Sequence, residues 1–247
     1  MAETRRNIPS HGDIYDFIMS KSKTTVHYRN HGGSSHSQIS PRHKCPSHVV
    51  CSIPEFFKDE EYTQRRLRFE KFYHNGRWKD LHRESNKCIN SGVPEIIAIG
   101  YLELALGLIF QRNEFEVKRN ISLADQAISE IEDEVLASFL KARCKYLLSL
   151  SYRYLNRFEE ARCLAKEALI ILNLAEVGED KAFAQYCYAI VLAEESYISQ
   201  FGRRTFEDVL SELHKSVEYA KRTEDMEILV THSQLQLSRL YLGTTHT

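Results

Sequence analysis

The stretch Ala142–Asn173, ARCKYLLSLSYRYLNRFEEARCLAKEALIILN, reads as two helices with one sharp break between them. In its first half Leu148, Ser149, Tyr152 and Leu155 recur at helical spacing. In its second half Phe158, Ala161, Leu164, Ala165, Ala168, Leu169 and Leu172 make a wide apolar stripe of the kind that must be buried. Asn156 and Arg157 mark the break. Ser149, Ala161, Ala165 and Ala168 are small enough to let two helices approach closely, so the stretch predicts a helical hairpin.

Working outward, the same break recurs. Tyr62, Leu67, Phe69, Phe72 and Tyr73 lie along a helix that stops at Asn75-Gly76, and Trp78, Leu81, Cys88 and Ile89 carry a second to Ser91-Gly92. Pro94 suits the first turn of the next helix. That helix contains Leu106-Gly107 with Phe110 three residues on, and its partner carries Ile121, Ala124, Ile128 and Ile131, which predicts a longer loop near Asn113. A fourth pair has Phe183, Tyr186, Tyr188, Ala189 and Leu192 on one helix and Phe206, Val209, Leu213 and Val217 on the other, with a loop at Gly202-Arg-Arg204. A final helix carries Leu235, Leu237, Leu240 and Tyr241. Phe72, Phe110, Tyr152, Leu192 and Tyr241 then stand 38, 42, 40 and 49 residues apart.

The hairpin at 142–173 resembles the tetratricopeptide repeat (TPR), whose pattern is Leu-Gly, an aromatic three residues after the Gly, then an Ala with an aromatic four residues later. Leu148, Ser149, Tyr152 and Ala161 fall on those slots; Lys145 stands for the signature Trp, Ser149 for the Gly and Ala165 for the second aromatic. The spacings exceed the common repeat of about 34 residues, and the longer-helix variants of the kinesin light chain type are similar. The resemblance covers residues 58 to 242. It implies an all-α, right-handed α-solenoid of about four TPR-like hairpins plus a final capping helix over 55–247.

Residues 1–54 differ in kind. The polar, Ser-rich and His-rich run from His31 to His48 offers too little apolar surface to offset its ordering entropy, so a disordered tail is expected. Its one apolar patch, residues 13–19 with Ile14, Tyr15, Phe17, Ile18 and Met19, is a candidate to dock in the groove of the repeats as an internal pseudo-ligand. His43, Cys45, His48 and Cys51 are soft and borderline metal ligands, but their spacing matches no familiar finger.

Composition bounds the function. The 247 residues carry 43% hydrophobic and 27% charged residues at a formal net charge of −1, enough for a core and against phosphate neutralisation of nucleic acid. No apolar run reaches membrane-spanning length, and MAETRRNIPS has no signal-peptide core. Six singly spread cysteines suit a reduced, cytoplasmic setting. His74, His82, His214 and His232 are scattered over different units without a phosphate loop or nucleophile motif, so no enzyme and no cofactor are expected. The acidic runs Glu130 to Glu134 and Glu176 to Asp180 read as solvated surface.

What the resemblance implies is a scaffold that binds a partner's peptide or helix in a concave groove lined by the first helix of each hairpin. By phase, the groove residues are Tyr101, Leu104, Leu108, Arg143, Tyr146, Leu150, Arg153, Phe183, Tyr186 and Ile190. Tyr and Arg anchor interfaces well, so replacing Tyr146 or Tyr186 by Ala is expected to spare the fold more than core substitutions do and to weaken partner binding. Leu148→Asp and Ala161→Glu are expected to disrupt it. Arg66, Glu70 and Leu108 stand where some TPR domains clamp a chaperone's C-terminal carboxylate, and they cannot make that clamp. The alternative is a short form of a larger signalling protein's repeat module.

Overall fold

A computed structural model describes residues 52–173, 175–176, 178–199, 203–223 and 227–244, all within the compact unit His48–Thr247. The apolar patch at 13–19 and the His43–Cys51 cluster lie outside the described residues.

Ten helices and no strand occur among the described residues: α1 (Glu55–Lys58), α2 (Glu60–His74), α3 (Trp78–Ile89), α4 (Pro94–Phe110), α5 (Glu114–Ile128), α6 (Glu134–Tyr154), α7 (Phe158–Ile171), α8 (Glu179–Ser199), α9 (Arg203–Arg222) and α10 (Glu227–Thr244). The described part of the chain is all-α, as its periodicity predicts. Local chemistry starts the helices where they start. Asp59 accepts hydrogen bonds from the Glu61 and Tyr62 amides, Asp133 from those of Val135 and Leu136, and Asn113 from that of Glu116, each satisfying donors that the first turn leaves open.

Three helix ends share one geometry. The Arg77, Asn113 and Arg157 amides donate back five residues to the carbonyls of Phe72, Leu108 and Tyr152, at 2.8, 3.1 and 2.9 Å. In each case the preceding residue takes a left-handed backbone: Gly76 at φ 60°, Arg112 at 56° and Asn156 at 58°. This double-bonded stop fixes the register between the first three pairs. Phe72, Leu108 and Tyr152 are equivalent, 36 and 44 residues apart. The sequence pattern aligns Phe110 with Tyr152 because Leu-small-x-x-aromatic recurs there, yet the turn makes Ala105, not Gly107, the equivalent of Ser149. The loop expected to be long is also short, Gln111–Asn113, the same three residues as Leu155–Arg157.

Gly107 has a different task, shared with Gly100 on the same face two turns away. A Cβ on Gly100 would lie 2.9 Å from the Ser85 carbonyl and from the Cys88 Cβ, and one on Gly107 would lie 2.5 Å from Leu81 Cδ2. The two glycines therefore let α3 pack directly on α4; a side chain at Gly100 would meet backbone and push the helices apart, whereas one at Gly107 would require Leu81 to shift.

Beyond that pair the helices alternate between two layers. Each of α5, α7 and α9 touches the helix before it and the helix after it, while α4 touches α6, α6 touches α8, and α8 touches α10. The inner row α4, α6, α8, α10 is thus continuous. Ala161, Ala165 and Ala168 on α7 are fully buried, so the small-residue stripe does sit in a tight helix contact.

One element leaves this scheme. As the first helix of a first hairpin, α2 would touch only α3 and α4. Instead it reaches α4, α6 and α8 through its side chains, and α1 reaches α6.

Candidate interaction face

The inner row is held together by two buried arginines of α6, ten residues apart. Arg143 donates from Nε and Nη2 to both carboxylate oxygens of Asp180 at 2.8 and 2.9 Å, and Arg153 donates likewise to Glu194 at 2.7 and 2.9 Å. Both acceptors belong to α8. Two-point guanidinium–carboxylate pairing fixes the rotation of α6 against α8 as well as their distance. Tyr146 Oη donates to Asp180 Oδ1 at 2.9 Å, and its ring lies 5.2 Å from that of Phe183. Farther along, Tyr186 Oη lies 2.6 Å from Nδ1 of His232 on α10. Burial pulls the Arg143 pKa down, but Asp180 and the Tyr62 and Tyr146 hydroxyls more than offset this and leave it raised. Burial, seconded by the Asp180 charge, holds the Tyr146 phenol protonated far above its ordinary range.

The segment from Ile53 to Tyr73 lies against this row. Phe57 packs its ring 6.0 Å from Phe139 and 5.1 Å from the Arg143 guanidinium. Tyr62 Oη accepts from Arg143 Nη1 at 3.1 Å, so the one guanidinium branch that Asp180 does not hold is bound by α2. Arg66 Nη1 donates to Glu179 at 2.7 Å, at the start of α8. Tyr73 Oη is 2.7 Å from both the backbone oxygen and Oε2 of Glu103 on α4, and its ring lies 6.4 Å from Phe110. Phe69 between them is buried, and the Ile53 side chain lies where a Cβ on Gly178 would fall.

These contacts change the standing of the ten residues chosen by phase. Leu104, Leu108, Arg143, Tyr146, Leu150, Arg153 and Ile190 are buried, and Tyr101, Phe183 and Tyr186 are half-buried. All ten lie on α4, α6 and α8. The inference from phase to exposure is corrected, because these positions are consumed by contacts between inner helices and by α2. Tyr146→Ala would remove one of the donors to Asp180 and open a void, and Tyr186→Ala would remove a hydrogen-bond partner of His232, so both substitutions are expected to lower stability as well. The reading of Glu176 to Asp180 as solvated surface holds for Glu176, which is exposed, and is corrected for Asp180, which is 4% exposed. A signal was available, since Arg143 and Arg153 sit within a largely apolar helix and buried guanidinium groups require carboxylates. Arg66, excluded as a carboxylate clamp, pairs with Glu179 and Glu70, and Leu108 is buried.

Glu103 is the titratable group at the seam between α4 and α2. Burial raises its pKa from 4.5 to about 7, opposed by the Tyr73 hydrogen bond and by the positive charge of Arg143, and seconded by the negative charges of Glu179 and Glu70. A raised carboxyl pKa means that the folded state keeps a proton that the unfolded chain has lost. The stability it contributes is complete below pH 4.5 and is lost as pH rises toward 7. Glu103→Gln is therefore expected to match the wild type in thermal melting near pH 4.5 and to melt higher at pH 8. A difference between the two proteins that does not vary with pH would contradict this assignment.

Among the described residues no three His, Cys, Asp or Glu side chains gather as a metal site, and no helix is long and apolar enough to cross a membrane. No family model, curated protein or solved structure gives a significant match to the chain.

Proposed function

We propose that this protein is a non-catalytic interaction scaffold: a right-handed, TPR-like array whose inner face, built by α4, α6 and α8, takes a helix or peptide of a protein partner. The observation that carries the reading is that this face already receives a helix through side chains alone, with aromatic rings and one arginine seated on three successive inner helices. Tyr and Arg in desolvated settings are the residues that dominate protein interfaces, and helix-in-groove docking uses anchors at this spacing. The cysteines support a reducing setting such as the cytoplasm, since Cys88, Cys144 and Cys187 are buried free thiols and Cys163 an exposed one.

Selection of displayed helical peptides on the full chain, followed by photo-cross-linking of the enriched sequences, tests this function. The expected result is cross-links on α4, α6 and α8. Cross-links confined to α5, α7 and α9, or no enrichment over an unrelated helical protein, would count against it.

A further inference from the structure

Tyr62, Arg66, Phe69 and Tyr73 are spaced i, i+4, i+7 and i+11, which puts them on one face of α2. Three of the four have partners on the inner row, on α6, α8 and α4 respectively, and Phe69 lies buried between them. Away from that face Glu60, Gln64, Leu67, Arg68 and Lys71 are exposed, Arg68 reaching Glu84 of α3 at 3.6 Å. This is the anatomy of a docked amphipathic helix. It differs from the inner helices α4, α6 and α8, whose residues are mostly buried.

From this we infer that α2 is a resident ligand of the inner face, and that the partner is a helix carrying the same side-chain pattern: an aromatic with a hydroxyl, a basic residue four positions on, and aromatics at seven and eleven. This rests on the scaffold reading above and names its partner class. Three of the four positions have a chemical reason on the receiving side, and the fourth, Phe69, is fully buried. The first aromatic needs a hydroxyl because Arg143 Nη1 finds its acceptor there. The second residue must be cationic because Glu179 receives it at the start of α8. The last must donate to Glu103 while meeting Phe110 edge-on.

The tether favours residence. Only Asn75, Gly76 and Arg77 join α2 to α3, so the local concentration of α2 at its site is on the order of millimolar or higher. A partner helix of ordinary affinity therefore sees a covered face. Loosening α2 should uncover it.

The probe is a fluorescein-labelled, end-capped peptide of residues 55–75, titrated into the full chain by anisotropy. The wild type is expected to bind it weakly. Tyr62→Ala/Arg66→Ala in the full chain should bind it at least tenfold more tightly, and the same two changes placed in the peptide should abolish that gain. Equal affinity of wild type and double variant would overturn the proposal, as would failure of the double variant to fold, because α2 would then be part of the core. A second route keeps the covalent sequence of α2 intact. A protease site placed in the Asn75–Arg77 turn, once cut, should leave the N-terminal piece bound until excess peptide releases it with the rest still folded. Release accompanied by unfolding would overturn the proposal too. Selected peptides that cross-link to the inner face but bind wild type and double variant equally would retain the scaffold and remove only the resident role. Absence of any inner-face ligand for either protein would remove both.

Discussion

Asp180→Ala is expected to cost about 3–5 kcal/mol in chemical denaturation, the largest effect of any single side-chain truncation on the inner face. Its carboxylate receives three hydrogen bonds, two from Arg143 and one from Tyr146, and all three groups are buried. Removing it leaves a guanidinium in low dielectric with only Tyr62 Oη as acceptor, and burial of an unpaired charge is costly. The pair itself is a different quantity. Arg143→Met/Asp180→Leu removes both charges together and should recover most of the loss, since an apolar pair of similar volume often does as well as a buried ion pair. If Asp180→Ala unfolds within about 0.5 kcal/mol of the wild type, the range of ordinary surface changes, the buried pair is misplaced.

Ala161→Glu should be nearly as damaging, about 3–5 kcal/mol from overpacking and uncompensated polar burial together. Ala161 is fully buried on α7, a helix that α6 and α8 contact. Leu148→Asp, which the sequence suggests would be equally severe, falls on a half-buried side chain and should cost less, about 1–3 kcal/mol. Ile170→Glu supplies a control on the same helix, because Ile170 is 64% exposed. Thermal melts ranking these three in the order Ala161, Leu148, Ile170 would support the packing. A reversed order would contradict it.

These cases show what the sequence makes legible. Periodicity and stop signals are local properties, and they place nearly every helix, its breaks at Asn75-Gly76 and Asn156-Arg157, and the small-residue stripe of α7. Register is less local. The Leu-small-x-x-aromatic pattern fits both 106–110 and 148–152, but the backbone stop at Arg112, a left-handed residue that is neither Gly nor Asn, carries almost no compositional signal. Exposure is the least legible property, because it depends on which distant segment lies on top. Arg143 and Tyr146 have the chemistry of interface anchors, and they are anchors, but of Asp180 and Tyr62, which lie 37 and 81 residues from Arg143 in sequence. The short α1 escapes periodicity altogether, since four residues cannot display a period.

The most direct test of α2 lying across the inner row is a set of ring-to-ring NMR contacts in the full chain with specifically labelled Phe and Tyr. The account predicts cross-peaks between Phe57 and Phe139 and between Tyr73 and Phe110, whose ring centres stand 6.0 and 6.4 Å apart. Both should vanish when the 55–75 peptide with unlabelled rings saturates the protein opened by Tyr62→Ala/Arg66→Ala. The contact between Tyr146 and Phe183, 5.2 Å apart on α6 and α8, should persist throughout. Absence of the first two contacts in the free wild type, or their survival at peptide saturation, would contradict the account.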